Sequence, residues 1–318
     1  MVFQFRKNLI LSLRKGYFDP ADFVAIGNRV AAKAPDIRVF VIDDDTPIAA
    51  LPAAIWSDAT LAVGFRKETK FRPKRGLLLM NRPIEKLEQA AVMSRHGIAT
   101  PHAALFEFGM DMPVEVWGTH VLLKPAGFAH TSHNEGIQVF HRERLAAMTV
   151  LDVPAGHLMR EVAMIAQRFI DTGDYPAKYR VLTLLGEILY CQFTVLIGKR
   201  PPLDAPDDML EQAVVGTGGA ERTYEPCNDA DVLAFARKVA AAFGGIPLLG
   251  IDIIRDMHSG ELFALEVNAG GNVWHFSSDM WAERRALYPK VKTDMMNQFG
   301  AFDLAASALI AATRRMAR

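Results

Sequence analysis

Two apolar, strand-like runs, Gly250-Ile251-Asp252-Ile253-Ile254-Arg255 and Gly260-Glu261-Leu262-Phe263-Ala264-Leu265-Glu266-Val267-Asn268, flank a short polar stretch and read as a β-hairpin. Side chains alternate faces along a strand, so Glu266 and Asn268 point the same way, roughly 7 Å apart. With the turn inside Asp256 to Ser259, Asp252 lies across the ladder from Glu266, while Phe263, Leu265 and Val267 take the other face. Two carboxylates and an amide oxygen then converge. Like charges this close repel and are costly to desolvate, and a divalent cation is the simplest compensation. Hard oxygen ligands without Cys or His favour magnesium or manganese over zinc. Such an ion completes its shell with water and substrate phosphates, so the hairpin is a nucleotide-site candidate. The competing interpretation is a solvated hairpin whose alternate residues are polar.

Other residues could serve the same chemistry. Lys124 ends the apolar run Val121-Leu122-Leu123, where a buried ammonium needs an anionic partner and a phosphate oxygen suits it. Snorkelling to solvent is its alternative. The loop Ala126 to Gly136 could turn backbone amides onto the same phosphates, although it holds only Gly127 and Gly136 as glycines. Gln167 to Asp174 reads as a linker whose backbone could pair with a flat base while an acidic side chain receives ribose hydroxyls. A strand running into a turn would look the same.

These residues need elements to position them. Residues 1 to about 80 read as a small α/β unit: a helix near Phe23 to Ala34, a strand Ile37 to Ile42 ending in Asp43, Asp44 and Asp45, and shorter strands at Thr60 to Phe65 and Leu77 to Met80. The charged run Arg66 to Arg75 between them reads as solvated loop. A helix is expected over Pro83 to His96, with Asn81 ahead of it and Gly97 behind. Strands follow at Ile137 to Phe140, Tyr179 to Leu185 and Glu187 to Val195, the last two joined at Gly186. The excursion Lys199 to Pro226 is too long for a turn and implies either disorder or function. Its Gly216-Thr217-Gly218-Gly219 lacks the ending of a P-loop. Asp229 to Phe243 is a helix with Val232, Phe235, Ala236, Val239 and Phe243 on one stripe, and Lys292 to Met316 supplies a final helix.

Composition narrows the class. The chain has 318 residues, half of them hydrophobic, which suffices for a large core. Thirty-six basic residues balance thirty-six acidic ones, so no overall field draws it to nucleic acid or membrane, and any phosphate site is local. Cys191 and Cys227 alone exclude a disulfide framework and a Cys-rich zinc site, and Cys191 reads as a core residue. Leu9 to Leu13 is too short for a signal peptide or membrane span, which makes a cytoplasmic location the expectation.

The order of these parts resembles the ATP-grasp superfamily, in the style of glutathione synthetases and other carboxylate-amine ligases. The resemblance rests on Lys86 with Gly97-Ile98-Ala99-Thr100-Pro101, on Leu123-Lys124-Pro125, on Gln167-Arg168-Phe169-Ile170, on Tyr179-Arg180-Val181, and on Asp252 with Glu266-Val267-Asn268. It covers about residues 80 to 285. It implies an α/β (α+β) ATP-grasp fold: a small pre-ATP-grasp domain at 1–81, a subdomain at 82–170 carrying the phosphate loop and hinge, and a second at 171–318 carrying the metal site, the two clasping ATP.

The resemblance also implies roles. Lys86 and Lys124 contact ATP phosphates; Gln167 and the backbone of Arg168, Phe169 and Ile170 hold adenine; Asp174 holds ribose. Asp252, Glu266 and Asn268 hold magnesium or manganese, and Arg180 contacts phosphate or the acyl intermediate. The segment after Asn268 lies near the acceptor in such relatives, so Asn272, His275 and Ser277 are candidate substrate contacts. His275 is a candidate general base, its alternative being a structural histidine. Two departures stand out: His130-Thr131-Ser132-His133-Asn134 where relatives are glycine-rich, and the polar-aromatic Asn272-Val273-Trp274-His275-Phe276-Ser277-Ser278.

The activity implied is an ADP-forming ligase that activates a small-molecule or peptide carboxylate as an acyl phosphate for attack by an amine or, less favoured, a thiol. Alternatives are a small-molecule kinase and a non-catalytic ATP-binding regulator. Nucleic acid and membrane are not expected partners, and the resemblance allows a homodimer.

Overall fold

The computed structural model describes residues 7–65, 71–127, 136–215, 221–269 and 273–318. Among them the strands form three sheets. Strands β1 (Lys7–Ser12), β2 (Ile37–Ile42), β3 (Ala59–Gly64) and β4 (Gly76–Met80) make a parallel sheet in the order β2-β1-β3-β4. Strands β5 (Ala103–Leu105), β6 (His120–Pro125), β7 (Gln138–His141) and β8 (Met164–Arg168) pair antiparallel in the order β5-β8-β6-β7. Strands β9 (Ala177–Leu184), β10 (Glu187–Leu196), β11 (Arg222–Pro226), β12 (Leu248–Arg255) and β13 (Leu262–Asn268) make the third sheet, in the order β11-β10-β9-β12-β13. β9 and β10 are joined by Leu185 and Gly186, both with positive φ (53° and 91°), the backbone that a two-residue hairpin requires.

Several boundaries differ from the expectation, each for a local reason. The first helix runs Pro20–Lys33, because Asp19 caps it through the Ala21 amide and Pro20 starts it. The helix expected from Pro83 begins at Lys86 and runs to Arg95. Asn81 does not cap it; its buried side chain instead donates to the Leu248 carbonyl (2.8 Å) and accepts from the Leu248 amide (3.1 Å). The final helix is two, Val291–Gln298 and Ala301–Met316, divided at Gly300, which is left-handed (φ 69°). That break lets Ala301–Met316 pack against both the helix Pro20–Lys33 and β10. Part of the long excursion is β11, and Leu203 within it accepts from the Nε2 atoms of both His120 and His141.

The third sheet has two unlike faces, and this difference positions the site. Val181, Cys191, Ile251 and Ile253 pack with Val232, Ala236 and Val239 of the helix Ala230–Ala242. Cys191 is fully buried there, as expected, and burial pushes its thiol pKa up. On the opposite face, Leu182, Leu184, Tyr190 and Leu248 continue into the core of the parallel sheet together with Trp274 and Phe276. Further along that same face the residues become polar.

Candidate functional site

Cross-strand register builds the polar face. Arg180 on β9 is the direct partner of Asp252 on β12, and Asp252 is the direct partner of Glu266 on β13. The expected pairing of the two carboxylates is therefore present, with Asn268 two residues beyond Glu266. One detail is corrected: a bulge lies between Asp252 and Ile253, where the register steps from Glu266 to Ala264. The extra residue, Leu265, shifts the alternation. Leu262, Ala264 and Val267 join the hydrophobic cluster, and Phe263 and Leu265 do not share their face with Val267.

The electrostatics follow from this packing. Asp252 is 1% exposed and is gripped from both ends, Arg180 Nε lying 2.7 Å from Oδ1 and Arg180 Nη2 3.0 Å from Oδ2. Lys178, two residues before Arg180 on the same face, adds a third contact at 3.1 Å. Burial, helped by Glu266, raises the Asp252 carboxyl on balance, and the downward pull of Arg180 and Lys178 offsets only part of the rise. Arg180 is raised: burial, the largest single influence, opposes its charge, and Asp252 together with Tyr190, Glu266 and Tyr224 outweighs it. Burial would also raise Glu266, but Lys178, Lys124 and Arg180 hold it at about 2. It is an anion at any working pH.

Two lysines face Glu266 from the neighbouring subunit of fold. Burial brings the Lys124 ammonium down to about 8, only partly offset by Glu266, and its Nζ donates to Gln167 Oε1. Lys86, at the start of its helix, donates to the Pro125 carbonyl at 2.9 Å and is likewise lowered by burial. Gln89, on the next turn, is buried and accepts from the Val267 amide at 2.7 Å, which fixes this helix against β13.

At the hinge, Arg168 N–H donates to the His102 carbonyl (2.8 Å) and Phe169 N–H to the His120 carbonyl (3.0 Å). Ile170, 6% exposed, has no backbone hydrogen bond of this kind among the described residues. Asp174 is exposed and pairs with Lys199 at 3.0 Å. The more enclosed hinge acid is Asp171, held by Arg200 at 2.6 Å and by the Gly173 amide at 2.9 Å.

The segment after Asn268 is mostly anchorage. Trp274 is 0% exposed and its indole donates to Asp22 of the first helix at 2.9 Å. Phe276 is equally buried, and Ser277 Oγ accepts from the Asp19 amide at 3.1 Å. His275 lies inside, its Nδ1 2.6 Å from the Tyr190 hydroxyl and its ring stacked 3.9 Å above Trp281. Burial, then Arg180 and Lys178, hold its imidazole well below the usual range, so it is neutral. Asn272, most of the Ala126 to Gly136 loop and Gly216 to Gly219 lie outside the described residues.

Sequence reasoning missed Lys178, whose signal was its place two residues from Arg180 on one strand face. It also missed Gln192, the direct partner of Arg180 on β10. That signal needed a strand register.

The donor set fits a hard divalent ion. Two carboxylates and the Asn268 amide share this face, the amide Nδ2 donating to Glu266 Oε1 at 3.1 Å so that its oxygen would have to turn inward to join them; one carboxylate is ionised despite burial, and no thiol or imidazole is among them. Among the described residues no group of three or more His, Cys, Asp or Glu could hold a metal ion, so a cation here would need the Asn268 amide as a third ligand. No described helix is long and apolar enough to cross a membrane.

No protein-family model and no curated protein matches the chain. Solved structures do. The ATP-grasp ligase PsnB, complexed with a minimal precursor, Mg and ADP, is 14% identical over 96% of this chain and 97% of its own, with a TM-score of 0.51. The macrocyclase MdnC, bound with precursor peptide MdnA from Microcystis aeruginosa MRC, is 13% identical over 96% and 99%, with a TM-score of 0.50. By architecture, over nearly its whole length, this chain has the ATP-grasp fold.

Proposed function

We propose that the protein is an ATP-dependent ligase that activates a carboxylate as an acyl phosphate and passes the acyl group to an amine. The observation that carries this reading is the charged row on one sheet face, the carboxylates Glu266 and Asp252 side by side and then the cations Arg180 and Lys178, with Lys86 and Lys124 facing Glu266. Phosphoryl transfer asks a protein mainly for positioning and for charge opposite the transferring group. Lys124 and Lys86 would bind the nucleotide phosphates. Arg180, kept in place by Asp252, would orient the acid and offset charge on the acyl phosphate. Magnesium, held by Glu266 and Asn268 with Asp252 adjacent, would supply further charge neutralisation at the phosphates. The enclosed amide of Ile170 would receive adenine, and the hinge acids Asp171 and Asp174 stand where ribose hydroxyls would reach. Of the solved structures with this fold, MdnC is bound with a precursor peptide and PsnB is complexed with a minimal precursor, which favours a peptide or amino-acid-like substrate.

The test is product analysis with ATP, magnesium and a panel of acids, using hydroxylamine as acceptor. A ligase yields hydroxamate, ADP and phosphate in equal amounts and only when an acid is present. Phosphorylated alcohol without free phosphate would identify a kinase instead, and absence of turnover with retained ATP binding would identify a regulator.

A further inference from the structure

The polar face extends beyond Arg180, and two groups on it are buried without partners. Gln192 stands opposite Arg180 in the ladder, so its side chain shares that face; it is 4% exposed, and its Oε1 is buried with no hydrogen-bond partner among the described residues. One strand further, β11 places Arg222 and Tyr224 on the same face, because Tyr224 pairs with Thr194 and Arg222 with Leu196. Arg222 Nε is also buried with no hydrogen-bond partner among the described residues, while the guanidinium carbon lies 5.8 Å from the centre of the Tyr224 ring.

The charge at this end is one-sided. Burial lowers the Arg222 guanidinium, Tyr224 offsets part of this, and Arg284 and Arg180 lower it further; no ion pair joins it to a carboxylate among the described residues. Arg285 is taken up by the His275 and Ser278 carbonyls, at 3.0 and 2.9 Å, and contributes positive charge without an anion. Tyr288 fixes β11 from the helix side, its hydroxyl donating to the Arg222 carbonyl at 2.7 Å. A half-buried arginine with no counter-charge is costly in the isolated protein. An arriving anion removes that cost. Gln192 can serve the same anion, since its amide presents a donor as well as an acceptor.

We propose that Arg222 and Gln192 form a subsite for a second carboxylate on the acid that is activated at Arg180, which makes the preferred substrate a dicarboxylic acid. The subsite belongs to the acid because Gln192 is the direct cross-strand neighbour of Arg180. A molecule with one carboxylate at Arg180 would meet Gln192 beside it and would extend toward Arg222, which lies on the next strand beyond Tyr224. Arg222 is a specificity-determining residue in this scheme and takes no part in bond making. The inference rests on the ligase reading above.

The experiment compares succinate with butyrate, and glutarate with valerate, as acids in the hydroxylamine assay, using the full chain with ATP and magnesium. Calorimetric binding of the same four acids to the protein with magnesium and a non-hydrolysable ATP analogue runs in parallel. The expected result is that a dicarboxylate outperforms its monocarboxylate counterpart in kcat/KM by about 10- to 100-fold, the worth of one charge-assisted contact. R222M should erase this preference by raising KM more than it lowers kcat, and R222K should restore part of it. Because Met keeps the apolar stem of Arg222 and no ion pair is lost among the described residues, R222M should keep a melting temperature close to that of the native chain, which separates recognition from misfolding.

Equal use of mono- and dicarboxylates, or an unchanged preference in R222M, overturns the subsite. An Arg222 dependence that follows a carboxylate on the amine instead of the acid also overturns it. If no acid yields hydroxamate, the ligase reading fails, and calorimetry decides the subsite by itself: dicarboxylate binding lost in R222M supports it, and no dicarboxylate binding by the native chain overturns it.

Discussion

Asp252 and Arg180 are direct cross-strand partners on β12 and β9, and the guanidinium meets both carboxylate oxygens, at 2.7 and 3.0 Å. The pair sits between Glu266 on one side and Gln192 on the other, so a single ion pair holds the centre of the whole polar face. Asp252→Asn keeps the shape and deletes the charge, leaving Arg180 and Lys178 with the more distant Glu266 as their remaining carboxylate. Unfolding free energy in urea should fall by about 3 kcal/mol, the lower part of the range for a broken buried pair. ATP turnover should fall at least ~100-fold. An unchanged urea midpoint would refute the structural role assigned to this pair.

Glu266 predicts an acid-sensitive contribution. Its folded pKa of about 2 lies below the unfolded value of roughly 4.3, so it stabilises the fold above that value and the contribution is lost as pH falls toward 2. The stability difference between the native chain and Glu266→Gln should be constant above pH 5 and shrink steadily between about pH 4.5 and 2. Urea titrations at pH 5, 4 and 3 measure it; a gap that stays constant would show that the carboxyl is not held down.

Lys124 predicts proton uptake on nucleotide binding. Burial leaves its ammonium at about 8, and phosphate oxygens would raise it again. Above pH 8 the free protein is largely deprotonated there, so binding should take up to about one proton and weaken as pH rises. Calorimetry at pH 8.5 in buffers of different ionisation enthalpy reads the proton count. K124M should bring that count close to zero.

Gly250 predicts a steric gate on Arg180. A Cβ at this position would lie 2.7 Å from Val273 Cγ1 and 2.9 Å from Arg180 Nη1. Gly250→Ala should therefore push the guanidinium from Asp252, destabilise by about 1–3 kcal/mol and reduce turnover more than a surface Gly→Ala change. Retention of full activity would mean that Arg180 has slack that the packing does not show.

Trp274 predicts a joint between sheets. It is fully buried among Phe23, Phe65, Phe276 and Phe302, with its indole on Asp22. Trp274→Ala should cost about 3–5 kcal/mol and loosen the parallel sheet from the third sheet, which limited proteolysis would reveal as early release of the N-terminal segment. Trp274→Phe should recover most of the packing and none of the hydrogen bond.

Much of this protein is legible in residue order. Alternating apolar and polar residues specify strands β12 and β13 and place Asp252 opposite Glu266. Asp229, with the stripe from Val232 to Phe243, specifies the helix behind them, and Lys124 at a strand end already announces an anion. These are short-range properties, set by strand period, helix period and capping. The tertiary structure decided what those periods cannot carry. It assigned Trp274, His275 and Phe276 to a core shared with the parallel sheet, since burial depends on elements distant in sequence. It placed Asn81 on Leu248 instead of on a helix cap, and through one bulge it moved Phe263 and Leu265 off the face of Val267. It also decided that β11 adds its strand beside β10, which puts Arg222 and Tyr224 on the same sheet face as Gln192 and Arg180. Register between strands is set by long-range pairing, and the candidate site is built from register.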